Sequence, residues 1–89
     1  MIVRILGEGQ YELTGSAEAK VRSLDEQLLR HLEAGDEDAF REDFTHVLRI
    51  VRGDGRRLPD DAIHVSDFVL PSQVPSLEEA KALFEGPHA

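Results

Sequence analysis

The sequence predicts an α+β fold in which an N-terminal β-hairpin packs on a helical hairpin and a short C-terminal helix. Three observations predict it. Apolar and polar residues alternate after a Gly-Glu-Gly turn near the N-terminus, as they do in a β-hairpin. Residues 16–52 carry apolar side chains at helical spacing on both sides of Ala34-Gly35-Asp36. Ser76-Leu77-Glu78-Glu79 has the spacing of a helix-capping box.

The hairpin is expected because residues 1–6 are apolar except for Arg4 and are rich in Ile and Val, which favour strands. Gly7-Glu8-Gly9 then supplies a turn, and Tyr11 and Leu13 alternate with polar residues in the second strand. A lone hairpin is marginally stable in water. We therefore expect it to be covered by the helices and completed by a third strand or by the hairpin of a second subunit.

The first helix is expected to begin with Ser16 as its N-cap and to end at Gly35 as its C′ residue. Its apolar stripe consists of Ala17, Val21, Leu24, Leu28 and Leu32. The opposite face carries Glu and Arg in alternation at a spacing of four residues. Such pairs stabilise a helix by only about 0.2–0.5 kcal/mol each, so we interpret this face as solvated and not as a binding site.

The second helix is expected to begin at Asp36 as its N-cap and to end within Gly53-Asp54-Gly55. Its inner stripe consists of Phe40, Phe44, Val47, Leu48 and Val51. Ile50 and Ala39 widen this apolar arc beyond what one neighbouring helix can cover. The second helix is therefore expected to contact two other elements. A basic cluster follows its end, formed by Arg49, Arg52, Arg56 and Arg57.

Residues 58–75 contain three prolines and are expected to be extended. Ile63 and Val65 alternate with polar residues and predict a short third strand. Residues 68–70 are expected to fill the core before Pro71. The last helix has one apolar face, formed by Leu77, Ala80, Leu83 and Phe84, and is expected to end at Gly86-Pro87.

The length of 89 residues predicts a single domain, over residues 1–89. A domain of this size buries only about 60 % of the surface of its unfolded chain, so its stability is expected to be marginal. The chain contains no cysteine, which excludes disulfides and thiolate zinc sites as a source of extra stability. We therefore expect a homo-oligomer or a complex with another protein, in a reducing cytoplasm.

The charge balance disfavours anionic partners. Eighteen Asp and Glu stand against ten Lys and Arg, giving a net charge of −8, which repels nucleic acid and anionic lipid headgroups. No apolar run approaches the ~18 residues of a membrane span, so direct membrane insertion is not expected. Residues 59–89 hold six acids and one base, a bias that fits either a basic partner surface or a solubilising tail.

The candidate catalytic and ligand-binding motifs do not have the residue arrangement that their chemistry requires. Gly7-Glu8-Gly9 leads into a strand, whereas a dinucleotide-binding loop leads into a helix. Asp36-Glu37-Asp38 begins like a calcium loop but lacks its later Gly and Glu. Asp60 and Asp61 are adjacent carboxylates that point apart, which does not suit acid–base catalysis. We therefore expect a protein that is not an enzyme and binds no cofactor.

The four histidines lack the HxH and HExxH spacings of metal sites. His31 and His46 would approach each other only if the two helices run antiparallel. A small-ligand or metal sensor therefore stays open as an alternative function.

The order and spacing of three stretches resemble the PspA-associated PspAA family. The first is Met-Ile-Val-Arg-Ile-Leu-Gly-Glu-Gly-Gln-Tyr at residues 1–11, and the second is the helix start Asp36-Glu37-Asp38-Ala39-Phe40. The third runs over residues 58–79, from Leu-Pro-Asp-Asp through Ser-Asp-Phe-Val-Leu-Pro to Ser-Leu-Glu-Glu. The likeness spans nearly the full length.

The resemblance implies a role in the phage-shock, or envelope-stress, response. It implies an accessory or regulatory partner of PspA, a coiled-coil protein that coats damaged membrane. The family has no established catalytic residues to carry over to this chain. The resemblance therefore implies a cytoplasmic protein that reaches the membrane only through its partner.

Two surfaces are candidates for binding a PspA-like coiled coil. One is the broad face of the second helix, formed by Phe40, Phe44, Val47 and Val51. The other is the acidic C-terminal third, represented by Asp60 and Asp61, against a Lys/Arg-rich helix. In one alternative, the chain's own hairpin and last helix fill the apolar arc of the second helix. In another, the protein is a homodimer that completes its sheet through residues 1–6 and has no heterologous docking face.

Overall fold

The computed structural model describes residues 1–61 and 63–84 and has the predicted α+β class. The elements in chain order are β1 (Ile2–Ile5), β2 (Gly9–Glu12), α1 (Gly15–Ala34), α2 (Glu37–Asp54), β3 (Arg56–Arg57), β4 (Phe68–Leu70) and α3 (Leu77–Phe84). The hairpin, the helical pair and the terminal helix are confirmed. The predicted stop at Gly86-Pro87 and the side chains of Leu83 and Phe84 lie outside the described residues.

The sheet has four strands in the order β3-β2-β1-β4. β1 pairs antiparallel with β2, so that Val3 lies opposite Tyr11, and parallel with β4, so that Val3 lies beside Phe68. Both edges of β1 are therefore occupied within the chain. The expected homodimer contact through residues 1–6 is wrong for this reason, since the strands at the sheet edges are β3 and β4.

The predicted strand at Ile63 and Val65 is also wrong. Residues 63–66 lie in no strand, and the side chains of Ile63 and Val65 are 94 % and 92 % exposed. The strand forms at Phe68–Leu70 instead, where Leu70 enters the core. Apolar and polar residues alternate in the first stretch, whereas the second is continuously apolar, and it is the second that pairs with β1.

The apolar arc of α2 is covered on two sides, as predicted. Its six buried residues are Phe40, Phe44, Val47, Leu48, Ile50 and Val51. α1 contributes Val21, Leu28 and Leu32 to the same core, and the inner sheet face contributes Val3, Ile5, Tyr11 and Leu13. The chain's own sheet and first helix therefore fill most of the arc that looked too wide from the sequence.

The helix ends are set mostly by local signals. Gly35 has φ 74° and caps α1 in the left-handed conformation, which a side chain would disfavour. The Asp36 side chain accepts a hydrogen bond from the Ala39 amide at 3.2 Å, as an N-cap does. α2 then ends at Asp54, within the predicted stop, and the Gly55 amide donates to the Val51 carbonyl at 3.0 Å.

The start of α1 differs from its prediction. The N-cap is Thr14, with extended backbone and no side-chain hydrogen bond to the helix. Gly15 is the first helical residue and has φ 57°. The expected cap at Ser16 is wrong because the glycine allows the chain to turn into the helix earlier than a polar cap alone indicates.

The capping box that opens α3 is confirmed. The Ser76 amide donates to Glu79 Oε1 and the Glu79 amide donates to Ser76 Oγ, both at 3.2 Å. These bonds to Ser76 lower the pKa of the Glu79 carboxyl. The Leu77 amide also donates to Glu37 Oε2 at 2.7 Å, which attaches the start of α3 to the start of α2.

An ion pair joins the hairpin turn to the end of α2. The Arg52 guanidinium donates to both carboxylate oxygens of Glu8, at 3.1 and 2.5 Å, and to the Ser72 carbonyl at 2.7 Å. Tyr11 Oη donates to Glu8 Oε1 at 3.2 Å. The hydrogen bonds from Arg52 lower the pKa of Glu8, and burial raises the pKa of the Tyr11 phenol.

We predict that Glu8 makes stability depend on pH in the acidic range. Because its pKa is lower in the folded state than its ordinary value of 4.5, the folded protein holds the charged form more firmly than the unfolded chain does. Its contribution is therefore complete above the ordinary value and is lost as the pH falls through the lower one. Glu8→Gln should lower the melting temperature at pH 7, and the gap to wild type should close towards pH 3. A gap that stays constant over this range contradicts the assignment.

We predict opposite effects of alanine at two neighbouring glycines. A Cβ at Gly55 would lie 2.3 Å from the Val51 carbonyl oxygen and 3.1 Å from Tyr11 Cβ, whereas a Cβ at Gly53 meets nothing within 4 Å. Gly55→Ala should lower the free energy of unfolding by about 1–3 kcal/mol, as overpacking does. Gly53→Ala should leave it unchanged or raise it by up to about 1 kcal/mol. Urea unfolding of the two variants measures both values, and equal stabilities would contradict the predicted difference.

Candidate functional surfaces

The four apolar residues predicted to bind a partner lie inside the core. Phe40, Phe44 and Val51 are fully buried and Val47 is 4 % exposed. A partner cannot contact side chains that the chain already covers. In this fold they pack α2 against α1 and the sheet. This agrees with the alternative that the chain's own elements fill the apolar arc of the second helix.

The two predicted acidic residues are on the surface. The Asp60 side chain is 86 % exposed, and its Oδ1 accepts a hydrogen bond from Arg57 at 3.3 Å. Asp61 is exposed as well. Ile63 and Val65 follow them closely in sequence. We call Asp60, Asp61, Ile63, Val65 and Asp67 the acidic segment.

Gln10 holds the acidic segment against the sheet. Its side chain is buried and lies on the outer face, opposite Arg4. Gln10 Nε2 donates to the His64 carbonyl at 2.7 Å and to Ser66 Oγ at 2.9 Å. One bond is to the backbone of His64 and the other to the Ser66 hydroxyl, and the side chains of Ile63 and Val65 are exposed. The sequence signal for this arrangement is a polar Gln at the centre of a predicted strand.

Asp67 anchors the other end of the acidic segment. Its Oδ2 accepts a hydrogen bond from the Ile2 amide at 2.7 Å, and its own amide donates to the Ile2 carbonyl at 2.7 Å. Leu6, which follows β1, and Val69 on β4 are 52 % and 53 % exposed. The acidic segment therefore exposes apolar side chains among carboxylates, and the sheet exposes two further apolar side chains.

Three of the four arginines in the predicted basic cluster form ion pairs with carboxylates. Arg52 bonds to Glu8, and Arg56 Nη2 donates to Glu12 Oε1 at 2.7 Å. Arg57 donates to the Glu8 carbonyl at 2.5 Å as well as to Asp60. Arg49 differs from these three, since it makes no salt bridge within residues 1–61 and 63–84.

Two shallow grooves flank the exposed side of α2, and Arg49 borders both. The first lies between α1 and α2, with Leu24 and Ile50 among its lining residues and Lys20 and His46 beside Arg49. The second lies between α2 and residues 72–74, with Leu48 in its lining. Gly53 also borders both grooves. The sequence pointed to Gly53 only as a helix stop.

The two histidines considered as a metal pair have separate surroundings. His31 Nδ1 lies 2.5 Å from Asp43 Oδ2, which joins α1 to α2. His46 is exposed at the first groove. In the part of the chain that the structure describes, no three His, Asp or Glu side chains are grouped so as to hold a metal ion.

The Asp25 carboxyl has a perturbed pKa and lies beside an apolar gap. Burial, with a smaller contribution from Glu26, raises its pKa. The gap is lined by apolar residues of α1, α2 and the sheet and has a volume of about 20 Å³. That volume holds roughly one water molecule, so we assign Asp25 no ligand.

Among the described residues, no helix has both the length and the apolarity that crossing a bilayer requires.

Comparison with known proteins gives one result. The sequence model of the family described as PspA-Associated protein (PspAA) matches residues 1–88. The search of curated proteins found no match, and neither did the search of solved structures. Because the family match covers the whole chain except its last residue, the chain belongs to the PspAA family of PspA-associated proteins.

Proposed function

We propose that this protein is a non-enzymatic accessory protein that binds a PspA-like coiled-coil protein in the response to membrane stress. The observation that carries the proposal is the family match over residues 1–88, since the family is described by its association with PspA. The protein would act in the cytoplasm and reach the membrane through this partner. Its own net charge of −8 opposes direct contact with anionic lipid.

We place the contact at the acidic segment. Asp60 and Asp61 supply exposed negative charge, and Ile63 and Val65 supply apolar surface that the described residues leave almost fully exposed. Burial of apolar surface contributes about 25 cal/mol per Å², while complementary charges raise the association rate and select the partner. A helix with Lys and Arg beside an apolar stripe has the matching chemistry.

The burial of α2 supports this choice of surface. Phe40 and Phe44 are covered by the chain itself, so an interface through them would require the core to open. Phe44→Asp would therefore report on folding and not on binding. The acidic segment, by contrast, can be changed without removing a buried side chain.

A homo-oligomer without a heterologous docking face is the second candidate. It is favoured by the exposed apolar side chains, since Leu6 and Val69 are about half exposed and Ile63 and Val65 are more than nine-tenths exposed. Light scattering on the isolated protein separates the two candidates in part. A strict monomer over the concentration range used for partner binding rules out the homo-oligomer.

We predict that reversing charge in the acidic segment weakens partner binding. The double variant Asp60→Lys, Asp61→Lys should bind purified PspA at least about tenfold more weakly, a loss of about 1.4 kcal/mol. Ile63→Asp with Val65→Asp should also weaken binding, because it removes the apolar contact. Both doubles should keep the wild-type melting temperature to within a few degrees, since all four residues are exposed. Surface plasmon resonance at fixed salt measures the affinities.

The matched control is Glu26→Lys with Glu33→Lys, which makes the same change of charge at exposed positions of α1. It should bind PspA within about threefold of wild type. An equal loss in this control would mean that net charge alone governs binding. No binding by correctly folded wild type would remove the proposed partnership itself.

A further inference from the structure

We infer that the exposed side of α2, with the two grooves beside it, is a second docking surface and takes an acidic helix of the partner. The inference rests on the proposed function and adds a contact of opposite charge to the acidic segment. It is carried by two independent observations, the charges that surround the grooves and the glycine at which the grooves meet.

The charges around the grooves are positive in an otherwise acidic protein. The cationic side chains are Lys20 and Arg49 at the first groove and Arg49 and Arg52 at the second. Of the described residues that line them, only Asp54 is acidic. Arg49 makes no salt bridge to another described residue, whereas Arg52 is held by Glu8. The free positive charge at the grooves thus lies on Arg49 and Lys20, which favours carboxylates in the occupant.

Gly53 has no role in the folded chain that requires a glycine. It is the penultimate residue of α2, its φ is not positive, and a Cβ built on it meets nothing within 4 Å. Gly55 is the contrast, because a Cβ there would clash with the Val51 carbonyl. Glycine has a lower helix propensity than alanine. An exposed helical glycine with empty space above it allows a second backbone to approach closely.

The shape of the surface suits a helix. Thr45, Arg49 and Gly53 follow one another at four-residue spacing along the exposed side of α2, which places them in one row about 12 Å long. That is the length of roughly two turns of a partner helix, which can pack closer where a small residue lies at the crossing point. Beneath this row, Leu24 is half-buried and offers apolar contact, whereas Ile50 and Leu48 belong to the buried core and close the floor of the grooves.

The experiment uses the full chain, purified PspA and a photo-crosslinking amino acid in place of His46, which is exposed at the first groove. Cross-links should map to a PspA helix rich in Asp and Glu. The same amino acid in place of Arg30, exposed on α1 away from the groove linings, should give few cross-links. Arg49→Glu should weaken binding about tenfold, while the matched reversal Arg30→Glu should leave it within about threefold.

Gly53→Ala supplies the test that a folding defect cannot mimic. It should weaken PspA binding several-fold although the variant is at least as stable as wild type. If wild type binds PspA and the acidic-segment variants weaken it, but Arg49→Glu and Gly53→Ala bind normally, the inference is overturned and the proposed function stands. Cross-links from position 46 to a basic helix, or to a second copy of this chain, also overturn it. If wild type does not bind PspA, both the proposed function and the inference fail.

Discussion

The burial of α2 is the constraint on which the rest of the structure depends. Its apolar side chains span an arc too wide for one neighbour, so α1 covers one part and the sheet covers the other. The sheet can do this only if its inner face is continuous across β1, which requires partners on both edges of that strand. β2 supplies one partner by a local hairpin. β4 supplies the other from residues more than sixty positions away, and the parallel pairing requires the long crossover through both helices.

Most signals that involve only neighbouring residues were predictable from the sequence, with the N-cap of α1 as an exception. Gly35, Asp36 and the pair Ser76 and Glu79 each act within a few residues, and the structure has all of them where the pattern placed them. The pairing of β4 with β1 was not predictable from the sequence. Residues 63–66 alternate as regularly as a true strand does, and they therefore competed with β4 as the predicted third strand. Contacts with residues far away in the sequence decide which stretch forms the strand. Gln10 bonds His64 and Ser66 in the first stretch, whereas Leu70 of the second stretch enters the core.

The same distinction between local and long-range signals applies to the candidate binding surfaces. An apolar helical face is the same pattern whether the chain itself or a partner covers it, so Phe40 and Phe44 could be assigned to either from sequence. The fold assigns them to the core and leaves exposed the two surfaces that we propose for a partner. One is negative and apolar, at the acidic segment, and the other is positive, around Arg49. A coiled coil, whose helices commonly carry both charges beside an apolar seam, offers matching chemistry to both.

Amide hydrogen exchange of the protein with and without purified PspA is the most direct test of the central claim, that this partner docks on exposed surfaces while the core of α2 stays closed. In the free protein the amides of residues 63–66 lie outside strands and helices and should exchange fast. The account predicts that PspA slows exchange there and leaves the protection of residues 44–51 at least as high as in the free protein. Unchanged exchange at residues 63–66, or faster exchange in α2 on binding, would contradict it.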